Sequence, residues 1–300
     1  MRFAIAVIRK AALSLFLVVI SITLIYILAR AVPGDPVTVL YGEMTVDENT
    51  RQMFLQRLGL DKPIYVQLPI FVLRIFSGDW GKSIYIDRNV IDIIRESYIN
   101  SLKLVIPSTA FVLLAALAIG YMDFAISNNT GLYVTMVSLF SAIPSIVWGA
   151  VFLVFLSIAE LPIVHGHLLP PLVTLSLAGL GIVYKIFRET LLDVLQQPFI
   201  QTYIALGYSK FQIYLKVVRF SLPPLISALL YRSGLILAGS IAIESMFDYP
   251  GMGFQFKIAF ESRDYPVLIG WGVAVTITFI VVYTLIDLLH MFLDPRVRRY

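Results

Sequence analysis

Apolar positions along this chain fall into long, nearly charge-free runs rather than the short alternations of a water-soluble domain. The first such run is Ala11 to Ala29, and the second is Leu104 to Met122. The third, Leu132 to Ala159, is longer and holds Pro144. The fourth, Leu168 to Tyr184, is short and opens on Pro170 and Pro171. The fifth, Ser221 to Ile243, is interrupted by Arg232, and the sixth is Val267 to Ile286. A hydrocarbon core takes about 20 apolar residues as helix, so the pattern predicts six membrane spans with both chain ends on one side. Basic residues precede the first run (Arg2, Arg9, Lys10), as in a secretory leader. The run is too long for a leader's apolar region, however, and Arg30 follows it, so it reads as a retained span.

Polar pattern between the runs predicts two further structured regions. In the segment 33–97, Thr45 with Glu48 forms a capping-box signature, and "VDENTRQMFLQRLGL" reads as a short helix ending at Gly59. "DKPIYVQLPIFVLRIFSG" offers Asp61 as a cap and Gly78 as a stop, with Pro69 kinking or splitting the helix. "DRNVIDIIRES" is a third short helix in this reading. Together they predict a helical lid on the outer mouth, either touching ligand or acting only as a brace. "GDWGKS" has the tail of a phosphate-binding loop, but Phe76 stands where that motif requires glycine, which excludes nucleotide binding there.

The second region is "QQPFIQTYIALGYSKFQIYLKVVRFSLPPL", residues 196–225, which carries Lys210, Lys216 and Arg219, no acid and one glycine. The pattern predicts a short helix over Phe199 to Leu206, with Ile200, Tyr203 and Ile204 on one side. Gly207 ends it in the left-handed conformation, and Ser209 caps a second helix running toward Pro223. Such a helix either docks onto a partner or lies amphipathically on lipid headgroups.

Composition agrees with a membrane protein: 59% of the 300 residues are hydrophobic and 14% are charged, against roughly a quarter charged in soluble domains. The net charge of +4 gives no reason to expect nucleic acid as a partner. Cysteine is absent, which removes disulfides and thiolate metal sites, and the three histidines (His165, His167, His290) offer little for a metal centre or a general base. Basic residues concentrate at the N-terminus, in the fourth-to-fifth connection (Lys185, Arg188, Lys210, Lys216, Arg219) and at the C-terminus (Arg296, Arg298, Arg299), so these three segments are expected in the cytoplasm.

The 196–225 stretch resembles the coupling loop of binding-protein-dependent ABC importer permeases, in which a short helix inserts into a cleft on an ATPase subunit. The whole chain is similar to the first permease subunit type of the dipeptide/oligopeptide/nickel family. The marks occur in order: "ARAVPGDPV", "RLGLDKPIYVQ", "SGDWGKSI", "SAIPSIVWG", "HLLPPLVTLSL", "LAGSIAIESMFDYPGMG", "RDYPVLIG" and "LIDLLHMFLDPRVRRY". The family's Glu-Ala-Ala is replaced by Gln201-Thr202-Tyr203, and the second-to-third loop lacks its usual basic residues.

The resemblance implies an all-α membrane protein of the type I ABC importer transmembrane fold, with six transmembrane helices and an extracytoplasmic helical insertion between spans one and two. Residues 1–98 would hold the first span and the insertion, 99–291 the permease core with its coupling loop at 188–222, and 292–300 a cytoplasmic tail. ATPase contacts are expected at Phe199, Ile200, Thr202, Tyr203, Ala205, Leu206, Gly207, Tyr208, Ser209 and Lys210. The implied partners are a second homologous permease in a heterodimer, two cytoplasmic ATP-binding subunits, an extracytoplasmic substrate-binding protein and membrane lipid. No cofactor and no catalysis by this chain are expected. Short peptides are the implied cargo. Oligosaccharides, then nickel, are the alternatives within the family, and a self-sufficient secondary carrier is the alternative outside it.

Ionisable residues inside spans are functional candidates because they cost at least ~2.5–3.5 kcal/mol at mid-membrane. Arg232 lies near the middle of the fifth run, where the family more often has an uncharged polar residue. It either lines the pathway or a subunit interface, or pairs with an acid of a partner chain. Glu244 is a second pathway candidate, about 18 Å from Arg232 if one straight helix joined them. Asp287 and His290 read as a polar anchor at the inner membrane face.

Overall fold

A computed structural model describes residues 2–31, 49, 52, 53, 56, 62–126, 131–160 and 165–293, and their side chains apart from 2–11, 28–31, 238, 239 and 290–293. The capping box at Thr45 and Glu48, the helix stop at Gly59 and the Asp61 cap lie outside the described residues. The described chain is helical, with one isolated antiparallel bridge between Lys82 and Asn89. Its main helices are α1 (Arg2–Ala31), α2 (Ile64–Phe76), α3 (Val90–Ala125), α4 (Leu132–Ala142), α5 (Ser145–Ile158) and α6 (Leu169–Leu195). They continue with α7 (Pro198–Ala205), α8 (Lys210–Gly239), α9 (Ile241–Met246), α10 (Met252–Glu261) and α11 (Tyr265–Leu293). Among the described residues, α3, α6, α8 and α11 are long and apolar enough to cross a membrane, giving four spans, or five if α4 and α5 count as one broken span. The apolar part of α1, Ala12–Ile27, is shorter than these.

Three boundaries differ from the sequence expectation, each for a local reason. The outer helix at "DRNVIDIIRES" and the second span are one continuous helix, α3, because nothing between Ser97 and Leu104 interrupts it; Ser97 Oγ simply donates back to the Ile93 carbonyl at 2.9 Å. The third run is not one rod. Ile143, the residue before Pro144, is extended (φ −73°, ψ 123°), as the proline ring demands of its predecessor, and α4 and α5 meet there at 79°. The helix capped by Ser209 does not stop at Pro223. It runs through Pro223 and Pro224 to Gly239 because burial of Leu225 and Leu229 holds the turns that the two missing N–H groups weaken. Pro69 likewise leaves α2 unbroken.

The chain divides into two compact units. The first comprises residues 1–100 and 251–280. One of its cores joins Ile22 and Tyr26 of α1, Ile75 of α2, and Ile269 and Val273 of α11. Another joins Val90, Ile93 and Ile94 of α3 to Met252 and Ala259 of α10 and Val267 of α11. The loop between α2 and α3 is fastened in the same unit. Asp264, ahead of α11, accepts from Ser83 Oγ and from the Ile84 and Tyr85 amides at 3.3 and 3.4 Å.

The second unit comprises 101–250 and 281–300. Its axis is α6, which packs on α4, α5 and α8. Val183, Tyr184, Phe187 and Leu191 of α6 are buried with Val112 and Ala116 of α3 and Ile213, Tyr214, Val217, Leu225 and Leu229 of α8. Ile200 of α7 joins this cluster, which is how a two-turn helix outside the spans becomes anchored to them.

Candidate coupling surface and intramembrane charges

Pro198 starts α7, where its lack of an N–H costs nothing and its fixed φ suits the first helical position. The helix ends in a two-bond left-handed cap. Gly207 lies at φ +78°, its N–H reaches the Ile204 carbonyl at 3.0 Å, and the Tyr208 N–H reaches the Tyr203 carbonyl at 3.1 Å. No heavy atom would meet a Cβ at Gly207, so the requirement for glycine is conformational rather than steric. Ser209 then starts α8 with a reciprocal capping box: its side chain accepts from the Gln212 amide at 3.3 Å, and Gln212 Oε1 accepts from the Ser209 amide at 2.9 Å. Two caps two residues apart fix the angle between α7 and α8.

Only Ile200 of α7 is fully buried, and Tyr203 is half-buried. Phe199, Thr202, Ile204, Ala205 and Leu206 are exposed, as are Gly207, Tyr208, Ser209 and Lys210 beyond the helix. Full burial of an isoleucine contributes roughly 1.5–3 kcal/mol, enough to dock α7 while leaving its other faces open. The rings of Phe199, Tyr203, Tyr208 and Phe220 form a chain of contacts 5.0–6.3 Å apart, with Lys216 Nζ 5.7 Å from the Tyr203 ring centre. The expected coupling residues are therefore brought together, with Ile200 as the anchor beneath the surface rather than a member of it.

Two basic residues tie this region to the end of α3. Arg188 Nε meets Asp123 Oδ2 at 2.7 Å, with side chains 14% and 2% exposed, and Tyr184 Oη donates to the same carboxylate oxygen at 3.2 Å. Lys210 Nζ donates to the Ala125 carbonyl at 2.9 Å. The helix before α7 and the helix after it are thus both fastened to α3. Along the sequence Arg188 reads only as a cytoplasmic charge and Asp123 stands out little. The one signal was an acid at the edge of an apolar run.

Arg232, midway along α8, is half-buried. Its Nη2 donates to Ser108 Oγ at 2.9 Å and to the Leu175 carbonyl at 2.7 Å, and Nη1 donates to Thr109 Oγ1 at 3.4 Å. Its guanidinium rests against Gly179, where a Cβ would overlap Nε. Arg232 also lines a hollow of about 260 Å³ with Ser145, Gly179, Leu235 and Ser240. Glu244 sits elsewhere: it is fully buried on α9 and accepts from Ser101 Oγ at 2.9 Å and Ser240 Oγ at 2.7 Å. The helix break between Gly239 and Ile241 separates it from Arg232, so the straight-helix spacing does not apply. His165 Nδ1 lies 2.8 Å from Asp248 Oδ2 in an exposed pair. Asp287 is exposed on α11, and the His290 side chain lies outside the described residues.

Residues 130–299 match the family described as binding-protein-dependent transport system inner membrane component, and residues 1–104 match the family described as the N-terminal part of the membrane component of such systems. The chain is 28% identical to a probable D,D-dipeptide transport system permease protein of Escherichia coli K12, over 98% of both chains. It is 28% identical to a glutathione transport system permease protein of Escherichia coli K12 and 27% identical to its counterpart in Salmonella typhimurium LT2, over 92% of each chain. With more than half its length inside the family match and several membrane-length apolar helices, this chain belongs to the inner-membrane permease components of binding-protein-dependent ABC importers.

Proposed function

We propose that this chain forms half of the translocation pathway for short peptides, paired with a second homologous permease and driven by two cytoplasmic ATP-binding subunits. An extracytoplasmic binding protein delivers the peptide. In this reading α1 is a sixth span, residues 33–97 form a helical insertion outside the membrane, and both termini with α7 face the cytoplasm. The observation that carries the coupling role is α7 itself: a short helix pinned by Ile200, with Phe199, Ile204, Leu206 and Tyr208 open to a partner. ATP-driven closure of the ATPases would carry α7 with it. Because Arg188 and Lys210 fasten both flanks of α7 to α3, displacement at the surface reaches the spans without a flexible joint. The peptide assignment is supported by the dipeptide and glutathione named in the relatives' descriptions.

ATP-dependent uptake of labelled trialanine by proteoliposomes holding the whole importer and its binding protein tests this reading, with absence of uptake rejecting peptide as cargo. Cysteines placed at Lys210 and Arg298 should label only from inside, and one at Asn49 only from outside. Outside labelling at Lys210 would overturn the orientation.

A further inference from the structure

Arg232 is the one charge on α8 that sits deep among apolar helices with only neutral acceptors. Its acceptors are two hydroxyls and one backbone carbonyl, and among the described residues no partner of it carries negative charge. A guanidinium keeps its proton in proteins, so this site cannot neutralise itself as a buried lysine could. Three acceptors hold the group in place but leave its charge uncompensated. Of its five N–H donors, Nε–H and one hydrogen on Nη1 have no described protein partner.

Space and field both suit an anion here. Arg232 borders a hollow of about 260 Å³, large enough for a carboxylate and its neighbouring atoms and lined otherwise by apolar groups and the Ser145 and Ser240 residues. Ser145 also opens α5, a 14-residue helix, so the positive end of a helix dipole borders the same hollow. Gly179 makes the position possible, since any side chain there would occupy the space of the guanidinium.

We infer that Arg232 is an anion-binding station in the pathway that engages the free carboxylate of the substrate as it crosses. The inference rests on the peptide-import reading and narrows it to carboxylate-bearing cargo. Arg232 supplies a fixed positive charge at the edge of the hollow. Apart from Ser145 and Ser240 the lining is apolar, so one guanidinium carries most of the grip and the carboxylate is held and then released. A permanent acid from the second permease chain would satisfy the same charge, and it predicts a different result.

Uptake of trialanine and of trialanine amide is measured in proteoliposomes of the whole importer, with the binding protein in excess, alongside the yield of the purified complex. Arg232→Gln is expected to lower trialanine uptake about tenfold and amide uptake less than twofold, with unchanged yield. Arg232→Lys, which keeps the charge, stays within about threefold for trialanine. Equal falls for the two probes, or wild-type uptake of trialanine by Arg232→Gln, overturns the inference. Loss of complex in Arg232→Gln overturns it too, and assigns the carboxylate to the partner chain. Failure of the unmodified importer to carry trialanine rejects the peptide reading and this inference with it; normal uptake by the unmodified importer with no effect of Arg232→Gln rejects this inference alone.

Discussion

Arg188 and Arg232 sit in the same helical unit, and both are set among apolar side chains, yet their surroundings are opposite. Arg188 meets a carboxylate that is 2% exposed, and a tyrosine hydroxyl braces the same oxygen. Arg232 meets hydroxyls and a carbonyl and borders open space. A buried charge with a matched acid is spent within the chain: it can hold two helices together and has nothing left for a ligand. A buried charge without an acid is still available. The position of the acid therefore separates a fastening from a binding station.

The strongest way to break that contrast is to turn the fastening into an orphan. Asp123→Ala leaves Arg188 buried without its counter-charge, a change expected to cost about 3–5 kcal/mol. Thermal unfolding of the detergent-purified complex should show a large fall in midpoint. Adding Arg188→Gln should recover part of it, and an unshifted midpoint in Asp123→Ala would mean that the pair holds nothing. Next in size is Gly207→Val. It forces a β-branched residue to φ +78°, at a strain of order 1–3 kcal/mol. The chain should still insert, while ATP hydrolysis stimulated by the loaded binding protein is lost because α7 leaves its angle. Normal stimulation would show that α7 is not what the ATPases grip.

Two smaller effects sharpen the Arg232 side. Gly179→Ala keeps every charge but places a methyl where Nε now lies. Trialanine uptake should fall several-fold, with complex yield close to wild type, and unchanged uptake would separate the charge from its present position. The smallest effect expected is that of Arg232→Gln on thermal stability. Removing an arginine that has no acid partner among the described residues leaves no orphaned carboxylate there, so the midpoint should move by less than ~1 kcal/mol equivalent, or upward. A fall as large as that of Asp123→Ala would erase the distinction between the two arginines.

Much of this was readable from local pattern. The apolar runs mark α3, α6, α8 and α11, and the turn at Gly207 and the cap at Ser209 follow from residue types whose geometry is set within a few positions. Continuity through Pro223 and Pro224 was not readable, because packing of Leu225 and Leu229 overrides a local helix breaker. The bend at Pro144 was visible as a proline but not as a 79° change of direction. At the candidate sites, Arg232 declared itself as a charge in an apolar run. Its acceptor Ser108 lies 124 positions away, and Asp123 lies 65 from Arg188. Spacing along one helix could not have joined either pair.

The acceptors of Arg232 share one further property: Ser108, Thr109 and Leu175 all precede it in the chain. During synthesis α3 and α6 emerge before α8 does. An isolated helix with arginine at its centre enters a bilayer poorly, at a cost of about 2.5–3.5 kcal/mol on insertion scales. Here the newborn helix would meet its hydrogen-bond partners already in place, with vectorial growth supplying a solvating surface before the charge arrives. Glycosylation mapping in microsomes should show α8 entering the membrane fully behind α3 and α6 and incompletely when expressed alone. Equal entry in both settings would mean that the helix needs no such help. If α8 does depend on α3 and α6, reordering the chain by circular permutation, so that α8 comes first, would be harmful at biogenesis even though every contact in the finished protein is preserved.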